Sequence, residues 1–263
     1  MFDILCLQET HVSVQEKFES LDKFVAIPHC RQISTNNRYF GGMLLLIRKS
    51  IRKGIKINHN FDVDSLLVTL ETTFFGIERD INILFTYASP ITSGYTKAGP
   101  ENILEKIETK IVDGRNTYLI IGDLNGRTKT DEDFVRDTSD KHSPINVPYY
   151  SKDTEIARCN QDTHATNEQG KLILDLCKSN SLRILNGRLN GDTSGKFTRY
   201  PKRTNENPST IDYALCGEAL LPQFSPFLFF RSQNYLITAV YPLIFESTSP
   251  KRVKPLLRTR KLG

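Results

Sequence analysis

The sequence predicts an α/β fold in which mixed or antiparallel sheets are covered by a few helices. Short strand-like runs outnumber helical stretches, and residues 1–90 show the spacings of successive hairpins. At 263 residues, 38% hydrophobic and 25% charged, the chain also has the length and composition to bury a full core. The strand-like runs are 4–8, 43–48, 65–70, 81–87, 118–121, 182–185, 210–215, 227–230 and 236–244. Two stretches repeat at helical period. Residues 101–111 follow Pro100 and put Ile103, Leu104, Ile107 and Ile111 on one face. Residues 169–178 follow Asn167, a candidate N-cap, and carry Leu172, Leu174, Leu176 and Cys177. Between them, residues 128–164 are polar and rich in Asp, Asn and Pro, so little regular structure is expected there. No internal repeat is present, and the composition breaks only at this segment and at the C-terminus. The domain reading is therefore one domain over 1–248 and a basic tail or linker over 249–263.

The net charge of +5 is a property of that tail. Residues 251–263 contain six Lys and Arg and no acid; without them, 29 basic residues face 30 acidic ones. The basic excess is a solvated linker or a phosphate-binding arm rather than a charged body. The five cysteines, Cys6, Cys30, Cys159, Cys177 and Cys216, are scattered and form no C-x-x-C pair. Neither a disulfide framework nor a zinc site is indicated, which places the chain in a reducing, intracellular setting, nucleus or cytoplasm. No apolar run approaches the roughly 18 residues of a membrane span. No membrane partner is expected.

Chemistry concentrates at strand ends. Gly122-Asp123-Leu124-Asn125 follows the apolar run 118–121 and brings a carboxylate and a carboxamide to a sheet rim. A strand period of two would put Asp123 and Asn125 on one face, suiting a hard cation or a phosphate oxygen. Glu9 directly follows run 4–8, in Gln8-Glu9-Thr10, and is placed to bind a cation. Tyr87 ends run 81–87, in Tyr87-Ala88-Ser89-Pro90, where a phenol can hydrogen-bond a phosphate or simply cap the core. Asp212 lies in Thr210-Ile211-Asp212-Tyr213, inside an apolar strand where an acid is costly unless bonded. The histidines His11, His29, His59, His142 and His164 read as surface residues.

In order, these read Q-E-T, Y-x-x-P, G-D-x-N and I-D-Y, and together they resemble the motif set of the endonuclease/exonuclease/phosphatase superfamily. The phrases Gly41-Gly42-Met43-Leu44, Ile184-Leu185-Asn186-Gly187, Gly195-Lys196-Phe197-Thr198 and Asn207-Pro208-Ser209-Thr210-Ile211-Asp212-Tyr213 look like the endonuclease domains of non-LTR retrotransposons. The resemblance spans residues 3–245. It implies a four-layer, DNase-I-like α/β sandwich, two mixed sheets face to face with helices outside, and one active site at a single rim. It also implies Mg2+ (or Mn2+) held by Glu9, a phosphate-stabilising or proton-moving Tyr87, and water positioned by Asp123 and Asn125. Asp212 would orient its partner. DNA is the implied partner, contacted beside the cut by Lys202 and Arg203; a monomer with no cofactor beyond the divalent metal is expected.

Two departures shape the functional expectation. Family members carry S-D-H near the last strand, where this chain reads Ser232-Gln233-Asn234. Gln233 and Asn234 are amides that cannot take up a proton near neutral pH or supply the lost charge. Active members also have a first strand with an Asn ahead of the segment that begins at Asp3, and its absence here would leave the neighbouring strand with an unpaired edge. The expected function is a metal-dependent phosphodiesterase or endonuclease domain of retrotransposon origin, weak or inactive. The alternative is a non-catalytic remnant of the fold that binds nucleic acid or a partner protein.

Overall fold

The computed structural model describes residues 2–11, 21–30, 34–35, 38–39, 41–93, 102–111, 117–136, 153, 155–189, 191–201, 206–223, 229–231 and 236–240. The strands are β1 (Ile4–Gln8), β2 (Phe24–His29), β3 (Ser34–Thr35), β4 (Arg38–Tyr39), β5 (Met43–Arg48), β6 (Ile55–Asp62) and β7 (Ser65–Leu70). They continue with β8 (Ile81–Tyr87), β9 (Tyr118–Asp123), β10 (Leu182–Ile184), β11 (Asp212–Gly217), β12 (Phe229–Arg231) and β13 (Leu236–Val240). The two amphipathic helices are α1 (Ile103–Ile111) and α2 (Glu168–Ser179). One sheet has the order β12-β13-β1-β5-β2, all antiparallel. The other has the order β10-β11-β9-β8-β7-β6 and is antiparallel except for the parallel pair β8–β9. A parallel pair needs a crossover, and α1 lies in it. β3 and β4 form a separate two-stranded hairpin.

The two sheets pack face to face through alternate residues. Ile4 and Cys6 of β1, with Met43, Leu45 and Ile47 of β5, meet Ile83 and Phe85 of β8, Leu119 and Ile121 of β9, and Ala214 and Cys216 of β11. The intervening residues of the six-stranded sheet, among them Leu84, Ile120, Tyr213 and Leu215, meet the helices. There α1 buries Leu104, Ile107 and Ile111, and α2 buries Ile173, Leu174, Leu176 and Cys177. Burial on both sides is why β9 and β11 are apolar runs rather than alternating ones. Each such Leu or Ile stabilises the fold by about 1.5–3 kcal/mol relative to exposure. Asn167 caps α2 as expected, its Oδ1 accepting from Gly170 N at 2.8 Å.

Several expectations are corrected. β2 and β6 are strands that the sequence reading omitted. β2 carries Pro28, and it lies at the edge of its sheet, where a missing N–H is tolerated. β6 is the edge strand of the other sheet, largely exposed and irregular between Asn58 and Asp62. Asp212 is the first residue of β11 rather than an interior one, so it stands at the rim. β1 has no unpaired edge: β5 and β13 flank it on both sides. His29 is not a surface residue; it is buried at the end of β2, and its Nε2 lies 2.9 Å from the carbonyl oxygen of Asp62. The described parts of 128–164 contain no helix or strand, as expected.

Candidate active site

Three of the sequence-predicted residues form one row. In the six-stranded sheet Asp212 lies opposite Asp123 across the β11–β9 ladder, and Tyr87 lies opposite Asp123 across the β8–β9 ladder. Directly opposed residues share a face. That face is the inner one, because Asp123 continues the alternation Leu119, Ile121; Tyr87 continues Ile83, Phe85; and Asp212 precedes Ala214, Cys216. The period that builds the core therefore delivers two carboxylates and a phenol to the rim between the sheets. Like charges directly opposed in a ladder are unfavourable, so the Asp123–Asp212 pair suits a site that receives a cation or shares a proton.

Glu9 and Gln8 approach from the facing sheet. Gln8 is 1% exposed and continues the inner alternation Ile4, Cys6. Its Nε2 donates to the Thr86 carbonyl oxygen at 2.7 Å, and its Oε1 accepts from Asp123 N at 3.1 Å. One carboxamide thus ties β1 to both β8 and β9 beside the row. Gly122 is required here, since a Cβ would collide with the Thr86 carbonyl oxygen and come within 2.8 Å of Gln8 Nε2. Glu9 follows with an exposed side chain and a left-handed backbone, φ 54°. That conformation costs a non-glycine residue about 1–2 kcal/mol. Gly41 and Gly42 hold it: their carbonyl oxygens accept from His11 N at 2.9 Å and Thr10 N at 3.3 Å.

Asn125 reaches the site by another route than the strand period. β9 ends at Asp123, and Asn125 adopts φ 50°, a conformation Asn tolerates. Asp123 Oδ1 accepts from Asn125 N at 3.0 Å, and Asn125 Nδ2 donates to the Ala88 carbonyl oxygen at 3.0 Å. The carboxamide is thereby bound next to Tyr87.

Asp212 is fully buried, and its backbone is braced by residues to which the sequence reading gave no role. Thr198 Oγ1 accepts from Ile211 N at 3.0 Å and Asp212 N at 3.1 Å. Asn186 Nδ2 donates to the Asp212 carbonyl oxygen at 3.0 Å, and its Oδ1 accepts from Ala214 N at 3.1 Å. Tyr213 points to the helix side, where its hydroxyl lies 2.9 Å from Gly126 O and 2.8 Å from Thr210 O. The phrases I-L-N-G, G-K-F-T and I-D-Y are thus one scaffold around a single carboxylate. The signal that could have found it was those phrases themselves, each with one polar residue amid apolar ones.

Lys202, Arg203, Gln233 and Asn234 lie outside the described residues. β13, which follows Gln233 and Asn234 in the chain, begins at Leu236 opposite Gln8, at this same rim.

Carboxylate oxygens are the donor type that a hard divalent cation takes. Mg2+ uses one or two carboxylates and completes its shell with waters and substrate oxygens. Glu9, Asp123 and Asp212 are oxygen donors at one rim, but among the described residues no three His, Cys, Asp or Glu are grouped so that they could hold a metal ion.

No curated protein sequence matches this chain. Among solved structures it is similar to the endonuclease domain of TRAS1, a telomere-specific non-LTR retrotransposon. The two share 11% identity at a TM-score of 0.50, over 81% of this chain and 80% of that one, a likeness of fold. The family model described as "Endonuclease/Exonuclease/phosphatase family" matches residues 1–229. With that match over most of its length, the chain belongs to the endonuclease/exonuclease/phosphatase family.

Proposed function

We propose that this domain is a metal-dependent phosphodiesterase acting on DNA, with the row Tyr87, Asp123, Asp212 as its catalytic edge. What supports the reading is that row, inner-facing and braced, beside Gln8 and Glu9 of the facing sheet. Hydrolysis needs a base for water and stabilisation of charge growing on the phosphate oxygens. Asp123 accepts the proton of the attacking water, held beside Asn125, as the water oxygen bonds to phosphorus and the bond to the leaving sugar oxygen breaks. Tyr87 donates a hydrogen bond to a phosphate oxygen, and Asp212 orients the group opposite it. Glu9 would hold the cation, which when bound supplies neutralisation of the scissile phosphate. Lys202 and Arg203 contact the DNA backbone beside the cut.

The domain works slowly, because Gln233 and Asn234 stand where the family has an acid and a histidine, and a positioned acid/base is worth about 10²–10⁴-fold in rate. The test is nicking of supercoiled plasmid with Mg2+ or Mn2+. Slow nicking abolished by Asp123→Ala, and accelerated by Gln233→Asp with Asn234→His, is the expected result. No nicking at any metal concentration, with DNA binding retained, would establish the alternative: a non-catalytic nucleic-acid-binding remnant of the fold.

A further inference from the structure

We infer that Arg127 and His164 form a phosphate-contact pair for the DNA strand flanking the proposed cleavage site, with the buried carboxylate of Asp162 as their positioning residue. The inference rests on the nuclease reading, since it names where the same polyanion continues beyond the catalytic row.

Asp162 is 1% exposed yet carries an acidic side chain, so it needs strong partners. Its Oδ2 accepts from Thr210 N at 3.1 Å. Its Oδ1 takes an Arg127 guanidinium N–H at 3.4 Å, His164 N at 3.2 Å and the His164 ring Nδ1 at 2.9 Å. A carboxylate only accepts, so Nδ1 carries the proton. The ring then turns its Nε2 outward, 3.3 Å from Asn207 Nδ2. One buried anion thus orients two donor side chains whose outer ends remain accessible, Arg127 at 24% and His164 at 45% side-chain exposure.

Their place in the fold matters as much as their chemistry. Arg127 comes two residues after Asn125, and Thr210 two residues before Asp212, so the pair sits on loops leaving the catalytic row. Asn207, beside the ring, follows the segment that carries Lys202 and Arg203. The Arg127 backbone is fixed on both sides: its N–H donates to Asn167 Oδ1 at 3.0 Å, and its carbonyl accepts from Asn167 N at 3.2 Å. A guanidinium that spends one N–H on Asp162 keeps the rest of its planar fork for a phosphate. With Nδ1 held on Asp162, the ring in its doubly protonated form donates from Nε2, which a phosphate oxygen would take in place of the Asn207 amide. Because both side chains are already held, little ordering cost opposes binding. Arg188 is buried on Asp133, and Lys106 and Lys110 reach back to Asp62 and Phe61.

The test is anisotropy of a labelled DNA duplex with the full chain and no metal, so that binding is read apart from cleavage, over about 0.05–0.2 M salt. Arg127→Ala is expected to weaken binding about tenfold and to lower the salt slope by about one phosphate's worth, while Arg127→Lys keeps the slope. His164→Asn is expected to weaken binding by a similar factor, beyond any loss that a lower melting temperature accounts for. Wild-type affinity and slope in both Arg127→Ala and His164→Asn, or losses that only track a lower melting temperature, would overturn the pair. If the unaltered chain binds DNA and the variants do not differ from it, this inference alone fails. If it neither binds nor nicks DNA, the nuclease reading fails with it.

Discussion

The phenol of Tyr213 joins the two loops that leave the row Tyr87, Asp123, Asp212. Its hydroxyl lies between the carbonyl oxygens of Gly126 and Thr210 and accepts from Thr128 Oγ1 at 3.3 Å. Burial pushes its pKa up to about 12, so it stays a neutral donor at ordinary pH. Tyr213→Phe keeps the ring and strands those carbonyls, a loss of about 1–3 kcal/mol. Urea unfolding should show that loss, and any nicking rate should fall with it, because both Asn125 and Asp212 depend on these loops. Gly122 illustrates the same scale from the other side. No side chain fits between it and the Thr86 carbonyl oxygen, so the glycine of G-D-x-N is set by how closely β8 and β9 approach there.

At the scale of elements, β2 and β6 meet at the edge of the sandwich through two histidines. His29 reaches the Asp62 carbonyl oxygen, and the His29 and His59 rings lie 5.8 Å apart between centroids. Burial first, and the neighbouring His29 second, lower the His59 pKa below the ordinary histidine value. A base whose folded pKa is lowered binds protons more readily unfolded, so its effect on stability is a loss on acidification. The melting temperature should therefore fall as pH drops through about 6.5 and level off once the folded-state ring is protonated. His59→Gln should flatten that part of the profile; an unchanged profile would show that His59 does not contribute.

At the scale of the whole molecule, the described parts of the polar segment between the two helices are packed into the structure. Asp133 is fully buried and takes both outer nitrogens of Arg188, at 2.5 and 2.6 Å, and Ile184 N at 2.7 Å. Arg158 donates to Thr128 and Asp131, and Arg183 pairs with Asp153 and Glu218. Burial pulls the Arg158 pKa downward, with Asp133 opposing the shift. These arginines carry the segment across β10 and the end of β11, and so support the loop from which Arg127 and His164 project. Removing one partner of a buried pair leaves an uncompensated charge, at about 3–5 kcal/mol. Asp133→Ala should lose that much in equilibrium unfolding, a far larger effect than Glu132→Ala at the exposed pair with Arg136.

The sequence by itself determined most of the elements and named the candidate site residues. Alternating and continuous apolar runs fixed most strands, Asn167 fixed the start of α2, and four short motifs named Glu9, Tyr87, Asp123, Asn125 and Asp212. These are local signals: a period, a cap, a breaker. It passed over β2 and β6, because Pro28 and a polar, irregular edge hide a strand whose pairing is what defines it. It also put Asn125 on Asp123's face by strand period, where a left-handed turn and the Ala88 carbonyl oxygen place it instead. Only the tertiary structure decided that Asp212, Asp123 and Tyr87 are opposed in one row, that Gln8 couples the facing sheet to it, and that Asp162 gathers Arg127 and His164 beside it. Each of those facts is a register or a long-range hydrogen bond. Register depends on which strands become neighbours, and a one-residue slip would turn the whole row to the other face; no local pattern in the chain encodes that choice.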